Sequence, residues 1–182
     1  PKAQFYSLAA ADDAAPVAAA AETAPSVGVV PVVLPAYLNR PQMVVRRGAT
    51  VEIDEYHRWA GNLQRDFSQV LAAGLARALG SERVALYPLA AEFAPDYRLS
   101  VDVDRFDGNP DEGVTLSGRW TLAVATTRRV LLVRQVGIVE PVAEGGMPAL
   151  AEAHGRALAQ LARTIAAAVA ALPPKEYGDN GS

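Results

Sequence analysis

One residue type and several sequence patterns are missing from this sequence of 182 residues. It contains no cysteine, which excludes a disulfide framework, a thiolate metal site and a cysteine nucleophile within these residues. No run of apolar residues is long enough to predict a membrane-spanning segment. The formal net charge is −3, without the basic excess that is typical of nucleic-acid-binding domains. Nucleic acid is therefore not an expected partner.

The motifs of common catalytic and cofactor sites are also absent. The chain has no Walker loop, no H-E-x-x-H pair and no G-x-G-x-x-G after a predicted strand. Its serines occur without a nucleophile-elbow or S-x-x-K context. We therefore predict no cofactor, no metal site and no enzymatic activity.

The composition is that of a folded protein. Hydrophobic residues make up 51% of the chain and charged residues 20%, which excludes disorder of the whole chain. The length predicts a single domain, 1–182. Within it, the alanine- and proline-rich segment 9–25 is expected to form a surface loop, and 173–182 a disordered tail.

The first half of the chain combines short strands with one helix. We predict strands at Gln4–Leu8, Ser26–Leu34 and Arg83–Tyr87, and a hairpin around Gly48. The apolar period predicts a helix over Tyr56–Leu79 that ends at Gly80. The strand Ser26–Leu34, this helix and the strand Arg83–Tyr87 are expected to form a parallel βαβ crossover unit.

The second half is predicted to contain three strands and a second helix. Alternating apolar residues predict an antiparallel meander of three strands, Tyr97–Val103, Val114–Val124 and Val130–Ile138, with one face of the sheet exposed to solvent. A long helix is predicted from Gly145-Gly146 to Pro173. The expected fold class is therefore α/β with α+β character, with a mixed sheet, a βαβ crossover unit, an antiparallel meander and two long helices.

Two groups of acidic residues have a functional and a structural interpretation. In the turn Asp107–Asp111, the acidic and amide residues have the spacing of the first ligands of an EF-hand calcium loop. Glu112 and Gly118, however, stand where that loop needs a glycine and a closing glutamate, which favours an ordinary hairpin turn. Asp102 and Asp104 are expected on one strand face, where a solvated surface is favoured over a shared proton or metal.

The two histidines lie far apart in the sequence. His57 is expected at the start of the first helix beside Asp54 and Glu55, where carboxylates suit the helix dipole. A hydrolase that uses His57 and Asp54 is the weakest functional alternative. His154 falls on the apolar stripe of the last helix and is expected to be a partly buried packing residue.

The segment Leu34–Arg46 is not explained by general folding requirements. Two prolines flank an exposed-looking Tyr37 and Leu38, and Arg40 and Gln42 follow just past a buried strand. Loops at such strand ends often carry contact residues. Two interpretations are open: these four side chains bind a partner, or Tyr37 and Leu38 tuck under the sheet and Arg40 caps a carbonyl.

Several segments together resemble the ABC-type transport auxiliary lipoproteins, the PqiC-like family. The matching segments are FYSL at Phe5–Leu8, VGVVPVVLPAYLNRPQMVVR at Val27–Arg46, HRWA at His57–Ala60 followed by Leu63, Tyr97–Phe106, and Trp120. The run L-P-x-Y-L-x-R-P-Q is the most specific of them, and the resemblance covers roughly residues 4 to 172.

This resemblance implies a non-catalytic lipoprotein whose acylated cysteine precedes Pro1 in the full-length protein, so that a lipid anchor absent from this chain is its only membrane contact. It implies the periplasm of a Gram-negative cell, with the anchor typically in the outer membrane. The implied partners are MCE-domain and permease subunits of a PqiABC-like ABC-type transporter that moves lipids across the envelope. Homo-oligomers and a fold like the N-terminal domain of TolB are also implied.

Two functions of different kinds remain open at this point. The first is an accessory subunit that acts through protein–protein contacts, with Tyr37, Leu38, Arg40 and Gln42 as the predicted contact residues. The second is a periplasmic lipid carrier with a hydrophobic groove lined by residues such as Trp59, Leu63 and Trp120.

Overall fold

The computed structural model describes residues 2–9 and 23–173. Within these residues the chain forms eight strands and two long helices. The strands are β1 Gln4–Tyr6, β2 Val27–Val29, β3 Gln42–Arg47, β4 Thr50–Trp59, β5 Val84–Leu86, β6 Tyr97–Asn109, β7 Gly113–Val124 and β8 Val130–Glu140, and the helices are α1 Leu63–Leu79 and α2 Gly146–Ala170. Most of the predicted surface loop at 9–25 and of the predicted tail at 173–182 lies outside the described residues.

The long strand β6 is the centre of the sheet. On one side it pairs antiparallel with β7, which pairs antiparallel with β8. On the other side it pairs in parallel with β2, then with Val33 through a single bridge to Asp102, and then with β3. β2, Val33 and β3 therefore pair with successive residues along the same edge of β6. The segment between Val33 and Gln42 is an excursion that leaves this edge and returns to it as β3.

The predicted crossover unit and meander are both present. β2 and β5 pair in parallel, and α1 lies between them in the chain. β1 pairs in parallel with the last residues of β4, which places the N-terminal strand at an edge of the chain's own sheet. The fold class predicted from the sequence, a mixed sheet with two helices, is confirmed.

The first helix begins later than the sequence predicts. α1 starts at Leu63, whereas the apolar period predicted a start at Tyr56. The side chain of Asn62 caps the helix by accepting a hydrogen bond of 2.9 Å from the Arg65 amide. The residues before it continue β4 as far as Trp59. His57 therefore lies in a strand, and the prediction that it starts the helix was wrong.

The second helix begins at Gly146 and buries its apolar stripe. Leu150, Leu158, Leu161 and Ile165 are fully buried, and burying a side chain of this size contributes about 2 kcal/mol. The two helices approach closely where α1 has a glycine, since a Cβ at Gly74 would lie 2.9 Å from the Cβ of Ala162. Small residues at this crossing let both helices pack on the same face of the sheet.

The aromatic side chains between sheet and helices are part of the core. Trp59, Leu63 and Trp120 are 5%, 5% and 2% exposed, so the prediction that they line an open lipid groove was wrong. The His154 ring packs edge-on against Trp59 at 5.2 Å and against Phe106 at 4.7 Å. His154 is 2% exposed and is a packing residue, as the sequence predicted, though more deeply buried.

Candidate functional site

The excursion between β2 and β3 forms a short, well-anchored loop, Pro35–Gln42, that contains the four predicted contact residues. One turn of 3₁₀ helix spans Ala36–Leu38. Leu38 is 2% exposed and anchors the loop in the core, which agrees with the second of the two open interpretations, in which this side chain tucks under the sheet. Arg40 Nε donates a 2.8 Å hydrogen bond to the Tyr37 carbonyl, and Gln42 Nε2 lies 3.5 Å from Glu55 Oε2.

A buried carboxylate, Asp107, anchors the same loop from the sheet. Its side chain has no solvent exposure. The Tyr37 hydroxyl donates a very short hydrogen bond to it, and Arg46 donates to both of its oxygens at 2.8 and 3.1 Å. Arg105 donates from Nε at 3.3 Å and from its terminal nitrogen at 3.0 Å. We call Tyr37, Arg46, Arg105 and Asp107 the carboxylate cluster.

Local features of β6 bring the carboxylate cluster together. The β6–β7 register shifts between Val103 and Arg105, which inserts one extra residue into β6. Beyond this bulge, Arg105 and Asp107 are two residues apart and share one sheet face. Val45 of β3 pairs in parallel with Gly108, which places Arg46 level with Asn109, and the Arg46 side chain reaches diagonally to Asp107. The side-chain Nδ2 of Asn109 also donates to the Arg46 carbonyl at 2.7 Å and fixes this register.

The ionisation of the carboxylate cluster follows from these contacts. Burial raises the pKa of Asp107, but hydrogen bonds from Arg46, Tyr37 and Arg105 outweigh burial and hold this pKa below its usual value. Burial and the hydrogen bond to Asp107 raise the pKa of Tyr37 to about 12. The hydrogen bond to Asp107 raises the pKa of Arg46. At neutral pH the cluster therefore contains one carboxylate, two guanidinium groups and a neutral phenol.

The sequence interpretation missed Arg46, Arg105 and Asp107. It assigned Asp107 to the turn after β6, whereas the turn is confined to the residues after Asn109, whose side chain accepts from the amides of Asp111 and Glu112. The available signal was the spacing of Arg105 and Asp107 on one strand face. Their third partner, Arg46, is 61 residues away in sequence from Asp107, so only the strand register identifies it.

A small cavity separates the loop from the N-terminus of α1. It has a volume of about 170 Å³ and is lined by Asn39, Arg40, Pro41, Gly61, Asn62 and Leu63. Ligand sites usually have volumes of about 300–1,000 Å³. This part of the loop is therefore better suited to surface contact than to enclosing a lipid.

His57 and Asp54 do come together, but in an irregular part of β4. His57 Nδ1 lies 2.9 Å from Asp54 Oδ2 without the alignment of a hydrogen bond. Asp54 Oδ1 accepts from the amides of Tyr56 and His57 at 2.9 and 3.0 Å. Burial raises the pKa of Asp54, but the His57 side chain and these two amides lower this pKa by more than burial raises it. The pKa of Asp54 is therefore below its usual value. Met43 pairs with Asp54 and Gln42 pairs with Arg58, so residues 55–57 of β4 are extra residues opposite β3 at this point.

The remaining candidates occupy structural positions. Asp102 and Asp104 are exposed on the sheet face, with Asp104 at the bulge. Ser68 accepts from the Val32 amide and donates to the Gln64 carbonyl. In residues 2–9 and 23–173, no group of three or more histidine, aspartate and glutamate side chains is arranged to hold a metal ion.

The chain matches a known sequence family over most of its length. The model of the family described as ABC-type transport auxiliary lipoprotein component matches residues 6–166. This match includes the Pro35–Gln42 loop and the whole carboxylate cluster. No curated protein matches the chain closely enough to count as a relative.

Two solved structures are similar to the whole fold. The crystal structure of an uncharacterized protein has a TM-score of 0.74 and 21% identity, covering 93% of this chain and 99% of its own. That of a Xanthomonas campestris protein of family DUF330 has a TM-score of 0.70 and 17% identity, covering 92% and 94%. At these identities the similarity supports the fold alone.

Proposed function

The chain belongs to the family of ABC-type transport auxiliary lipoprotein components, and on this premise we propose that it is a non-catalytic, protein-binding subunit of an envelope lipid transporter. The transporter is proposed to be a PqiABC-like system, with MCE-domain and permease subunits as the partners. The full-length protein is proposed to reside in the periplasm, anchored to the outer membrane by an N-terminal lipid. The family description as a lipoprotein supports this location.

Among residues 2–9 and 23–173, neither helix has the length and apolar character needed to cross a bilayer.

The observation that carries the proposal is the anchoring of the Pro35–Gln42 loop by the carboxylate cluster. Leu38 fixes the loop to the core, and Tyr37 fixes it to Asp107. A loop that is ordered before binding loses less conformational entropy when a partner docks. This anchoring supports the proposal that the loop is a binding surface.

The side chains that remain at the surface of this loop suit a protein partner. Tyr37, Arg40 and Gln42 are partly exposed, and Ala36, Asn39 and Pro41 are exposed. Tyrosine and arginine are enriched among the residues that contribute most to protein–protein binding. We propose Tyr37, Arg40 and Gln42 as direct contacts and Leu38 as the buried anchor of the same loop.

A photo-crosslinking residue at Asn39 tests this assignment in the full-length, lipidated protein. The matched control is the same residue at Glu82, which is exposed and lies beyond the C-terminal end of α1. Asn39 lies beside the N-terminal end of α1, and the two ends of this 17-residue helix are about 25 Å apart. We expect crosslinks to a transporter subunit from position 39 but not from position 82.

Affinity measurements with substituted proteins give an independent test. The Arg40→Ala, Gln42→Ala double variant is expected to weaken transporter binding by at least about tenfold. Arg77→Ala in the last turn of α1, where the side chain is exposed, is the control and should bind normally. Normal binding by the double variant, with crosslinks from position 82 instead, would move the contact surface away from this loop.

A further inference from the structure

Among the described residues the sheet has two long edges, the outer side of β8 and residues 50–56 of β4, which pair only with β3. β1 and β5, at the other edges, have three residues each. β8 has eleven residues, and its only strand partner in the described part of the chain is β7. One side of the β8 backbone therefore presents a row of amide and carbonyl groups without a strand partner among these residues.

The side chains of β8 do little to protect this edge. Proteins usually protect exposed edges with proline, lysine or a covering segment. β8 contains neither proline nor lysine, and Val130, Val133 and Val139 are 54%, 47% and 68% exposed. A long apolar edge strand is the type of surface to which an extended peptide adds as a further strand.

The charges around this edge are mostly positive. Arg128 and Arg129 lie in the β7–β8 turn, and Arg134 lies within β8. Arg119 lies on β7 between Gln135 of β8 and Asp102 of β6. All four are exposed, and none forms an ion pair with another residue in the described ranges 2–9 and 23–173. The acidic residue of the strand, Glu140, already binds Arg156 at 2.9 Å. A chain of net charge −3 thus has a local excess of arginine here.

We propose that β8 is a docking edge for an extended, acidic segment of a partner polypeptide, which adds to the sheet as a ninth strand. The open backbone of β8 supplies the hydrogen bonds, the exposed valines contact alternate side chains of the segment, and the four arginines select for acidic residues. A second copy of β8 would bring the same arginine excess to the edge, so an acidic strand is the better complement. This surface is separate from the Pro35–Gln42 loop.

Hydrogen exchange of the whole chain with a designed peptide tests the proposal. The probe is an end-blocked peptide of five Glu-Val repeats, and a peptide of five Lys-Val repeats controls for charge. A Glu-Val peptide with alternate N-methylated amides controls for backbone pairing. At a Glu-Val concentration of 100 times its Kd, alternate amides of residues 130–140 should exchange about 100-fold more slowly, because only about 1% of the edge stays free.

Charge-reversed proteins identify the edge that binds. Arg119→Glu with Arg134→Glu should weaken binding of the Glu-Val peptide by at least about tenfold. Arg65→Glu with Arg163→Glu, which changes the net charge equally on exposed helix positions, should leave binding unchanged.

Three outcomes would overturn the proposal. The first is unchanged exchange in 130–140 at saturating Glu-Val peptide. The second is equal binding of the Lys-Val or N-methylated peptide. The third is protection of 130–140 that rises with protein concentration in the absence of peptide, which would assign the edge to a second copy of the chain.

Discussion

Replacing Asp107 by asparagine removes the one negative charge of the carboxylate cluster while keeping the size of the side chain. In the native protein this buried carboxylate accepts hydrogen bonds from Tyr37, Arg46 and Arg105. Removing one member of a buried ion pair usually costs about 3–5 kcal/mol. The Arg46 and Arg105 side chains are 20% and 40% exposed and can partly recover hydration, so the cost should be near the lower limit. We expect Asp107→Asn to lower the free energy of unfolding by about 3 kcal/mol.

The assay is urea unfolding at neutral pH, where the transition midpoint should fall and the m-value should stay constant. Asp111→Asn is the matched control because the Asp111 side chain is 77% exposed and its ion pair with Arg47 lies at the surface. This control should change the free energy of unfolding by less than about 1 kcal/mol. Tyr37→Phe removes a single hydrogen bond to the carboxylate and should cost about 2 kcal/mol.

The pH dependence gives the same prediction a second test. The folded-state pKa of Asp107 lies below its unfolded value of about 3.9. The ionised carboxylate therefore stabilises the folded protein fully above the unfolded pKa, and this contribution is lost as the pH falls through the lower, folded-state pKa. The difference between the native protein and Asp107→Asn should shrink on acidification below about pH 4. A cost below about 1 kcal/mol at neutral pH, or a difference that grows on acidification, would refute the reasoning.

Three further predictions concern the fold that carries the loop. Burial lowers the pKa of His154 to about 4, so on acidification the unfolded chain, in which a histidine has a pKa near 6.5, should bind the proton first. Urea unfolding should therefore show about 3 kcal/mol of stability lost between pH 6.5 and 4. The His154→Leu variant should lose less stability over the same pH range. Gly108→Ala should cost about 2 kcal/mol in the same assay, because a Cβ there would lie 1.9 Å from the Gly113 carbonyl oxygen. Asn62→Ala removes the α1 cap and should lower the unfolding free energy by about 1 kcal/mol.

Each of these predictions has a control or a contradicting result. An equal pH dependence in His154→Leu would show that other groups control acid stability. Gly137→Ala is the control for Gly108→Ala, because a Cβ at Gly137 meets nothing within 4 Å. An unchanged unfolding free energy in Asn62→Ala would mean that the helix start does not depend on the cap.

The sequence predicted the secondary structure best where periodicity is long. The alternation of β7 and β8 and the apolar stripe of α2 each extend over many residues, so these elements were predicted closely, whereas β6 continues six residues past its predicted end at Val103, to Asn109. The start of α1 was misplaced because Trp59 lies four residues before Leu63 and both are buried, which imitates one helical turn. The Gly61-Asn62 pair, which ends the irregular segment and caps the helix, was the better local signal.

The candidate site was predicted in part, for a physical reason. Local sequence identified the unusual loop around Tyr37, because two prolines and polar side chains beside a buried strand have no simple structural role. It could not identify Asp107 as the anchor of that loop, since the Tyr37–Asp107 contact spans 70 residues and depends on the bulge at Asp104. Burial of Leu38 was one of two open interpretations, because a single leucine in a loop carries no periodicity that would decide between them.

The most direct test of the central claim is affinity purification of the full-length, lipidated protein from its native envelope, followed by identification of the recovered proteins and lipids. The account predicts recovery of MCE-domain and permease subunits with the native protein, and a marked loss of both with the Arg40→Ala, Gln42→Ala variant. Recovery of phospholipid without any transporter subunit would contradict the account and would indicate a lipid carrier instead.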